Sequence, residues 1–173
     1  MSSQLRVDKI VPVDGAPSGG GGGIVQVVQT IKKDTFITAS VVSSGGYVDI
    51  TGFSATITPK FNTSKILVKA VIYNSNANAV NFFRALRGST FIEQPSGTSS
   101  SGASYNAHAF AYYNADNWQD STTIEILDSP TTTSATTYKI QMGVSSNTGT
   151  INKFYGTSNY YGISTLTLYE VSA

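Results

Sequence analysis

His108 is the only histidine in a chain of 173 residues that contains no cysteine. A catalytic histidine needs a nucleophile to activate and a carboxylate to orient it. The surrounding AHAFAYY supplies neither, and strand alternation places His108 beside Phe110 and Tyr112 on one face. The expectation is a hydrogen-bonded structural histidine. With a single imidazole and no thiol, multi-histidine and thiolate metal sites are ruled out within one chain.

Two other segments gather residue types that can bind. YYNADNWQD holds Tyr113 and, between Asp116 and Asp120, Asn117 and the only tryptophan, Trp118. Closely spaced Asp and Asn can ligate calcium, but the further ligands and closing glutamate of an EF-hand loop are missing, so no metal is expected. The same residues suit a sugar, with the indole against the ring and the polar side chains on its hydroxyls. They equally suit packing of Trp118 on the end of the domain or on a neighbouring subunit. NKFYGTSNYYG brings Phe154, Tyr155, Tyr160 and Tyr161 together with Asn152 and Asn159, a mixture that makes adaptable contact surfaces. Tyr113, Asn117, Trp118, Tyr155, Tyr160 and Tyr161 are therefore the candidate contacts for a glycan or another external surface. No carboxylate pair stands out among Glu93, Glu125, Glu170 and the aspartates, so no glycosidase chemistry is indicated. The run Gly19 to Gly23 lacks the Lys-Ser/Thr that completes a phosphate-binding loop. No catalytic residue and no cofactor are expected.

Composition narrows the classes further. Charged residues make up 12% of the chain, about half the usual share, and net charge is +1. A nucleic-acid binder needs a basic face to neutralise phosphates, and this balance does not provide one. Serine (23), threonine (21) and asparagine (11) carry most of the polarity instead. No apolar run approaches the roughly 20 residues that cross a bilayer. MSSQLRVDKIV lacks the apolar core of a signal peptide, so none is expected.

The elements that must hold these residues read as strands. Val, Ile, Thr, Tyr and Phe dominate from Ile24 onward, and no segment keeps a 3.6-residue period. Expected strands are Ile24 to Thr30, Thr35 to Val42, Tyr47 to Ile57, Lys65 to Tyr73, Val80 to Leu86, Thr90 to Glu93, Tyr105 to Tyr113, Ser121 to Leu127, Thr136 to Val144, Ile151 to Tyr155 and Ile163 to Val171. Arg87-Gly88-Ser89 reads as a hairpin turn. The fold class is all-β, a two-sheet sandwich of about ten short strands, jelly-roll-like. Residues 1–15 read as an extended N-terminal arm, 16–23 as a glycine-rich linker and 24–173 as the sandwich body. Leu5 and Val7 alternate with polar neighbours and Pro12 blocks a helix; with Ile10 and Val13 they form an apolar anchoring set for strand addition or for lying along a partner. KILVKAVIY is apolar on both faces, which predicts that part of the outer surface is covered by another copy of the chain.

Several stretches together resemble a known family. LRVDKIVPVDG is similar to the opening of many tailed-phage fibre and appendage proteins. GYVDITGFSATITPKFNTSKILV, RALRGST, DSPTTTSATTYKIQ and ISTLTLYEV resemble small virion structural proteins, often labelled tail fibre, of phages of marine and freshwater bacteria, cyanophages included. The resemblance covers nearly the whole chain. It implies a β-rich homotrimer, external on the virion, that binds other virion proteins of the tail or baseplate and meets the host surface, with no active site, no nucleic acid and no membrane insertion. A capsid decoration protein or head fibre, seated on the major capsid protein, shares this kind of domain. A glycan-degrading tailspike is the third alternative.

Overall fold

The computed structural model describes residues 23–97, 105–114, 118–156 and 159–172. Among them eleven strands run in chain order: β1 (Ile24–Lys32), β2 (Phe36–Thr38), β3 (Val48–Ile57), β4 (Lys65–Asn76), β5 (Val80–Arg87), β6 (Thr90–Phe91), β7 (Ala109–Tyr112), β8 (Gln119–Asp128), β9 (Thr136–Val144), β10 (Gly149–Ile151) and β11 (Ser164–Val171). The only helix among the described residues is a 3-10 turn at Val42–Ser44, so no described helix is long and apolar enough to cross a membrane. The expected arm, with Leu5, Val7, Ile10 and Val13, and most of the glycine linker lie outside the described residues.

The strands form two antiparallel sheets. In the first, β1, β11, β4 and β8 lie side by side, and the short β10 and β2 extend it past the end of β11. The second runs β3, β9, β5, with β6 and β7 both on the free side of β5. Numbering the eight principal strands among themselves gives 1-8-3-6 facing 2-7-4-5. That nesting of two Greek keys is the jelly roll, and it makes the all-β two-sheet expectation specific.

Period-two alternation drives each sheet. In β4, Ile66, Val68, Ala70 and Ile72 are wholly buried, while Leu67, Lys69, Val71 and Tyr73 point outward and are half-buried. The inward set meets Phe53, Ile57, Phe83, Tyr138, Ile140 and Met142 of the second sheet, together with Ile124, Leu166 and Leu168 of the first. At about 25 cal/mol per Å² of apolar surface removed from water, this shared core is the main stabilising term. One edge of the sandwich is closed by side chains of β1 reaching across to β3: Gln26 Nε2 donates to the Thr58 carbonyl at 2.7 Å, Thr30 Oγ1 to Ser54 at 2.8 Å, and Lys32 Nζ to Thr51 at 2.7 Å.

Several strands are shorter than expected, and the backbone says why. Glu93 has φ +44° and Asn152 has φ +58°, left-handed conformations that break β pairing; the sixth and tenth strands accordingly stop before them. The second strand ends at Thr38 because the chain then turns through Val42–Ser44 onto Gly45 at φ +78°. Tyr105 to His108 is not strand, because only Ala109–Tyr112 pairs with β5. The Gly88-Ser89 hairpin is present, with Arg87 opposite Thr90.

Candidate functional site

β4 is twelve residues long and spans the molecule from end to end. At its start, Lys65 pairs with Val171, which pairs with Ile24, and the Ser172 N–H bonds to the Gly23 carbonyl at 2.9 Å. At its other end Ser75 pairs with Gln119 at the start of β8, and Asn76 with Gly149 at the start of β10. Ten residues of strand separate the two ends, about 34 Å at 3.4 Å per residue. The polypeptide leading into β1 therefore enters at the end opposite the aromatic loops.

Those loops are pinned at one buried hydroxyl. Ser75 Oγ donates to the Trp118 carbonyl at 2.7 Å and accepts the Tyr155 N–H at 3.1 Å. Two segments far apart in sequence are thereby brought together. Trp118 is 59% exposed, Tyr160 65% and Tyr161 62%, while Tyr155 is half-buried. The Phe154 N–H bonds to the Tyr160 carbonyl, and the two rings meet edge to face at 6.0 Å. Gly162 lets the loop return over Tyr73, since a side chain there would overlap the Tyr73 ring.

Beneath the loops lies a polar layer. Asn74, Asn76, Asn81 and Asn152 are all fully buried. Asn76 Nδ2 donates to Asn81 Oδ1 at 2.6 Å, Asn81 Nδ2 to Asn74 Oδ1 at 3.0 Å, and Asn74 Nδ2 to Thr122 Oγ1 at 2.9 Å. Asn152 Nδ2 bonds to the Lys32 and Asp34 carbonyls and its Oδ1 accepts from Ser164 Oγ. Buried amides of this kind are stable only when paired, and paired they fix one geometry.

Tyr113 corrects the sequence reading. It is 1% exposed and its hydroxyl donates to Asn74 Oδ1 at 2.7 Å, so it belongs to this layer and offers nothing to an external ligand. Burial, aided by the charge of Asp120, raises its pKa far above the usual phenol range. The physical reason is register: β7 places Phe110 and Tyr112 outward, and Tyr113, one residue on, turns inward. Asn117 lies outside the described residues.

His108 sits where the structural reading put it. Its Nδ1 accepts the Ala85 N–H at 2.9 Å, so the proton resides on Nε2, which donates to the Ile92 carbonyl at 2.6 Å. The imidazole fills the gap between β6 and β7 along β5, satisfying backbone that no strand covers there. Burial lowers its pKa, which keeps the ring neutral.

A second surface, on the outer face of the second sheet, was not legible in the sequence. Arg84 points outward from β5 opposite Gln141 of β9. Arg84 Nε donates to Gln141 Oε1 at 2.7 Å, Gln141 Nε2 to Asp49 Oδ1 at 2.6 Å, and Lys139 Nζ to Asp49 Oδ2 at 2.8 Å. The guanidinium lies 4.0 Å from the centroid of the Tyr47 ring and 5.4 Å from that of Phe91, cation–π contacts that hold its plane. The Tyr47 hydroxyl is itself tied to the Asn106 carbonyl at 2.9 Å. Burial raises the Tyr47 pKa to about 12, against the pull of Arg84, and burial also lowers that of Arg84. Beside the guanidinium opens a cavity of about 290 Å³, floored by Val42 and Leu86 and rimmed by Ser89, Gln94 and Asn106. The only sequence signal for it was an arginine inside the apolar strand VNFFRALR.

The outer face of the first sheet carries a third feature. Val27, Tyr169, Leu67 and Leu127 lie side by side across β1, β11, β4 and β8. Val27 is 52% exposed and Leu127 45%. Among the described residues no group of three or more His, Cys, Asp or Glu is placed to hold a metal.

No protein-family model matches the chain, and no curated protein matches it. Among solved structures the chain is similar to VP2 of the infectious bursal disease virus subviral particle, at 16% identity and a TM-score of 0.39, covering 98% of this chain and 42% of that one. The chain thus spans well under half the length of that neighbour, and a likeness so distant says nothing of what this chain binds.

Proposed function

We propose that this chain is a structural protein of a tailed-phage virion, a short trimeric tail fibre that attaches to the tail or baseplate and contacts the host surface. It acts by binding and breaks no bond. The observation that carries the reading is the separation along β4. The segment bearing Leu5, Val7, Ile10 and Val13 joins the body at Gly23, while Trp118, Tyr155, Tyr160 and Tyr161 gather at the opposite end. Chain entry at one pole and an exposed aromatic surface at the other is the polarity a fibre needs. The motifs that resemble small phage appendage proteins support the same assignment.

Trimerisation is supported by the apolar row Val27, Tyr169, Leu67 and Leu127, because a lone sandwich turns polar residues outward. Three copies present three aromatic ends to one surface, so weak contacts act together.

Reconstruction of purified virions, with the chain located by a bound antibody fragment, tests the reading. Density at the tail or baseplate supports it. Density over the capsid shell replaces it with a decoration protein or head fibre, and absence from the particle overturns it. Deleting residues 1–14 should leave the body folded and abolish incorporation; normal incorporation ends the anchoring role.

A further inference from the structure

The Arg84 cleft stands apart from the aromatic end and does not depend on which appendage the protein builds. The geometry points to a binding site for a carboxylate-bearing sugar, a uronic acid, with Arg84 gripping the carboxylate and Ser89, Gln94 and Asn106 meeting the hydroxyls.

The first argument is the state of the guanidinium. Its Nε is used by Gln141, while Nη1 and Nη2 make no hydrogen bond among the described residues. Arg84 also takes part in none of the ion pairs among them, and Asp49, whose charge reaches it, is already engaged by Lys139 and Gln141. A partly desolvated guanidinium whose two Nη groups have no hydrogen-bond partner is stabilised when an anion arrives to meet them.

The second argument is rigidity. Tyr47 and Phe91 hold the guanidinium plane, Gln141 fixes its Nε side, and Asn106 fixes Tyr47. Only the outer edge of the fork is left for a ligand, and that edge matches a planar carboxylate in a bidentate pair. Because the side chain is already ordered, little rotamer entropy is lost on binding.

The third argument selects the ligand class. A phosphate or sulfate ester of higher charge calls for several cations or a cluster of backbone N–H groups. Here one guanidinium lines the cavity, and the neighbouring cation, Lys139, is taken up by Asp49. A monoanion therefore fits best. The rim of one hydroxyl and two amides suits a polyhydroxylated ring, and the apolar floor of Val42 and Leu86 suits its C–H face.

The test is a titration of the full-length protein with sodium glucuronate, followed by ¹H–¹⁵N NMR at the Arg84 Nε–H and the Asn106 and Gln94 amides. Saturable shifts at these groups are expected, with glucose and inorganic phosphate each binding at least about tenfold more weakly. Arg84→Lys keeps the charge and loses the fork, and should weaken glucuronate about tenfold or more at an unchanged melting temperature. If the lysine variant unfolds, Asn106→Ala replaces it: it leaves the guanidinium intact, and should weaken glucuronate while leaving acetate unaffected. Absent shifts, equal response to glucose, or phosphate binding as well as glucuronate would each overturn the proposal. None of these outcomes bears on where the protein sits in a virion.

Discussion

Ser75 and Trp118 are joined by a hydrogen bond of 2.7 Å from a buried hydroxyl to a main-chain carbonyl. The same hydroxyl receives the Tyr155 N–H, so one side chain positions both aromatic segments of the proposed host-facing end. Ser75→Ala should remove both bonds and leave the partly buried Trp118 carbonyl and Tyr155 N–H without their partner. A loss of about 1–3 kcal/mol is expected, read by chemical denaturation. Tryptophan fluorescence anisotropy should fall with it, as Trp118 loosens.

Trp118 itself contributes little to stability, because more than half of it faces solvent. Trp118→Ala should change unfolding free energy by no more than about 0.5 kcal/mol and weaken adsorption of particles to host cells. A large stability loss with normal adsorption would show that the indole is a packing residue and would remove it from the contact surface.

Asn81 ties β5 to β4 through three hydrogen bonds, to Asn76, Asn74 and the Ser75 carbonyl. Asn81→Ala removes all three and leaves Asn76 Nδ2 without a partner in a buried layer, while Asn74 Oδ1 keeps the Tyr113 hydroxyl. Destabilisation of at least about 2 kcal/mol is expected, larger than for Ser75→Ala, and measured the same way.

Val27 and Leu127 flank Tyr169 and Leu67 on the outer face of the first sheet. A charged substitution there meets water in a monomer and is buried in a trimer. The double variant Val27→Lys, Leu127→Lys should therefore remain folded by circular dichroism and elute as a monomer in light scattering, while the parent elutes as a trimer. A parent that is monomeric at micromolar concentration would sink the trimer.

His108 gives stability a dependence on pH with a definite sign. Burial depresses its folded-state pKa below the ordinary 6.5, so the unfolded chain binds the proton more readily. Stability from this group is complete above pH 6.5 and declines as pH falls from there toward the folded pKa. Protonation also removes the acceptor that Nδ1 offers to the Ala85 N–H. His108→Gln should flatten the melting-temperature profile between pH 7 and 5. Glu170 acts in a lower window. Burial pushes its carboxyl up, but hydrogen bonds from Gln26 and from the Lys60 and Phe61 N–H groups outweigh this and hold it below 4.5. Its contribution is present above pH 4.5 and is lost as pH falls through the depressed value, so its loss begins at lower pH than that of His108.

The alternation of Ile66, Val68, Ala70 and Ile72 against Leu67, Lys69, Val71 and Tyr73 was enough to define a strand, its inward face and an unusually apolar outward one. Period two is a local property, and side chains on consecutive residues must diverge. The left-handed Glu93 and Asn152 were not legible, because both residue types also occur in ordinary strand and loop conformations. Tyr113 was misread for a related reason: one residue of register decides between the surface and the asparagine layer, and composition does not carry register.

What the residues fixed alone was the all-β class, the absence of thiol chemistry, the neutral charge balance and the aromatic loops themselves. Only the tertiary structure decided that β11 lies between β1 and β4, that Ser75 draws Trp118 and Tyr155 to one end, and that Arg84 meets Tyr47, Gln141 and Phe91. Such contacts join residues tens of positions apart. They depend on how the strands cross over, and strand order in a sandwich is set by packing two whole sheets against one core, a condition that no single stretch of sequence contains.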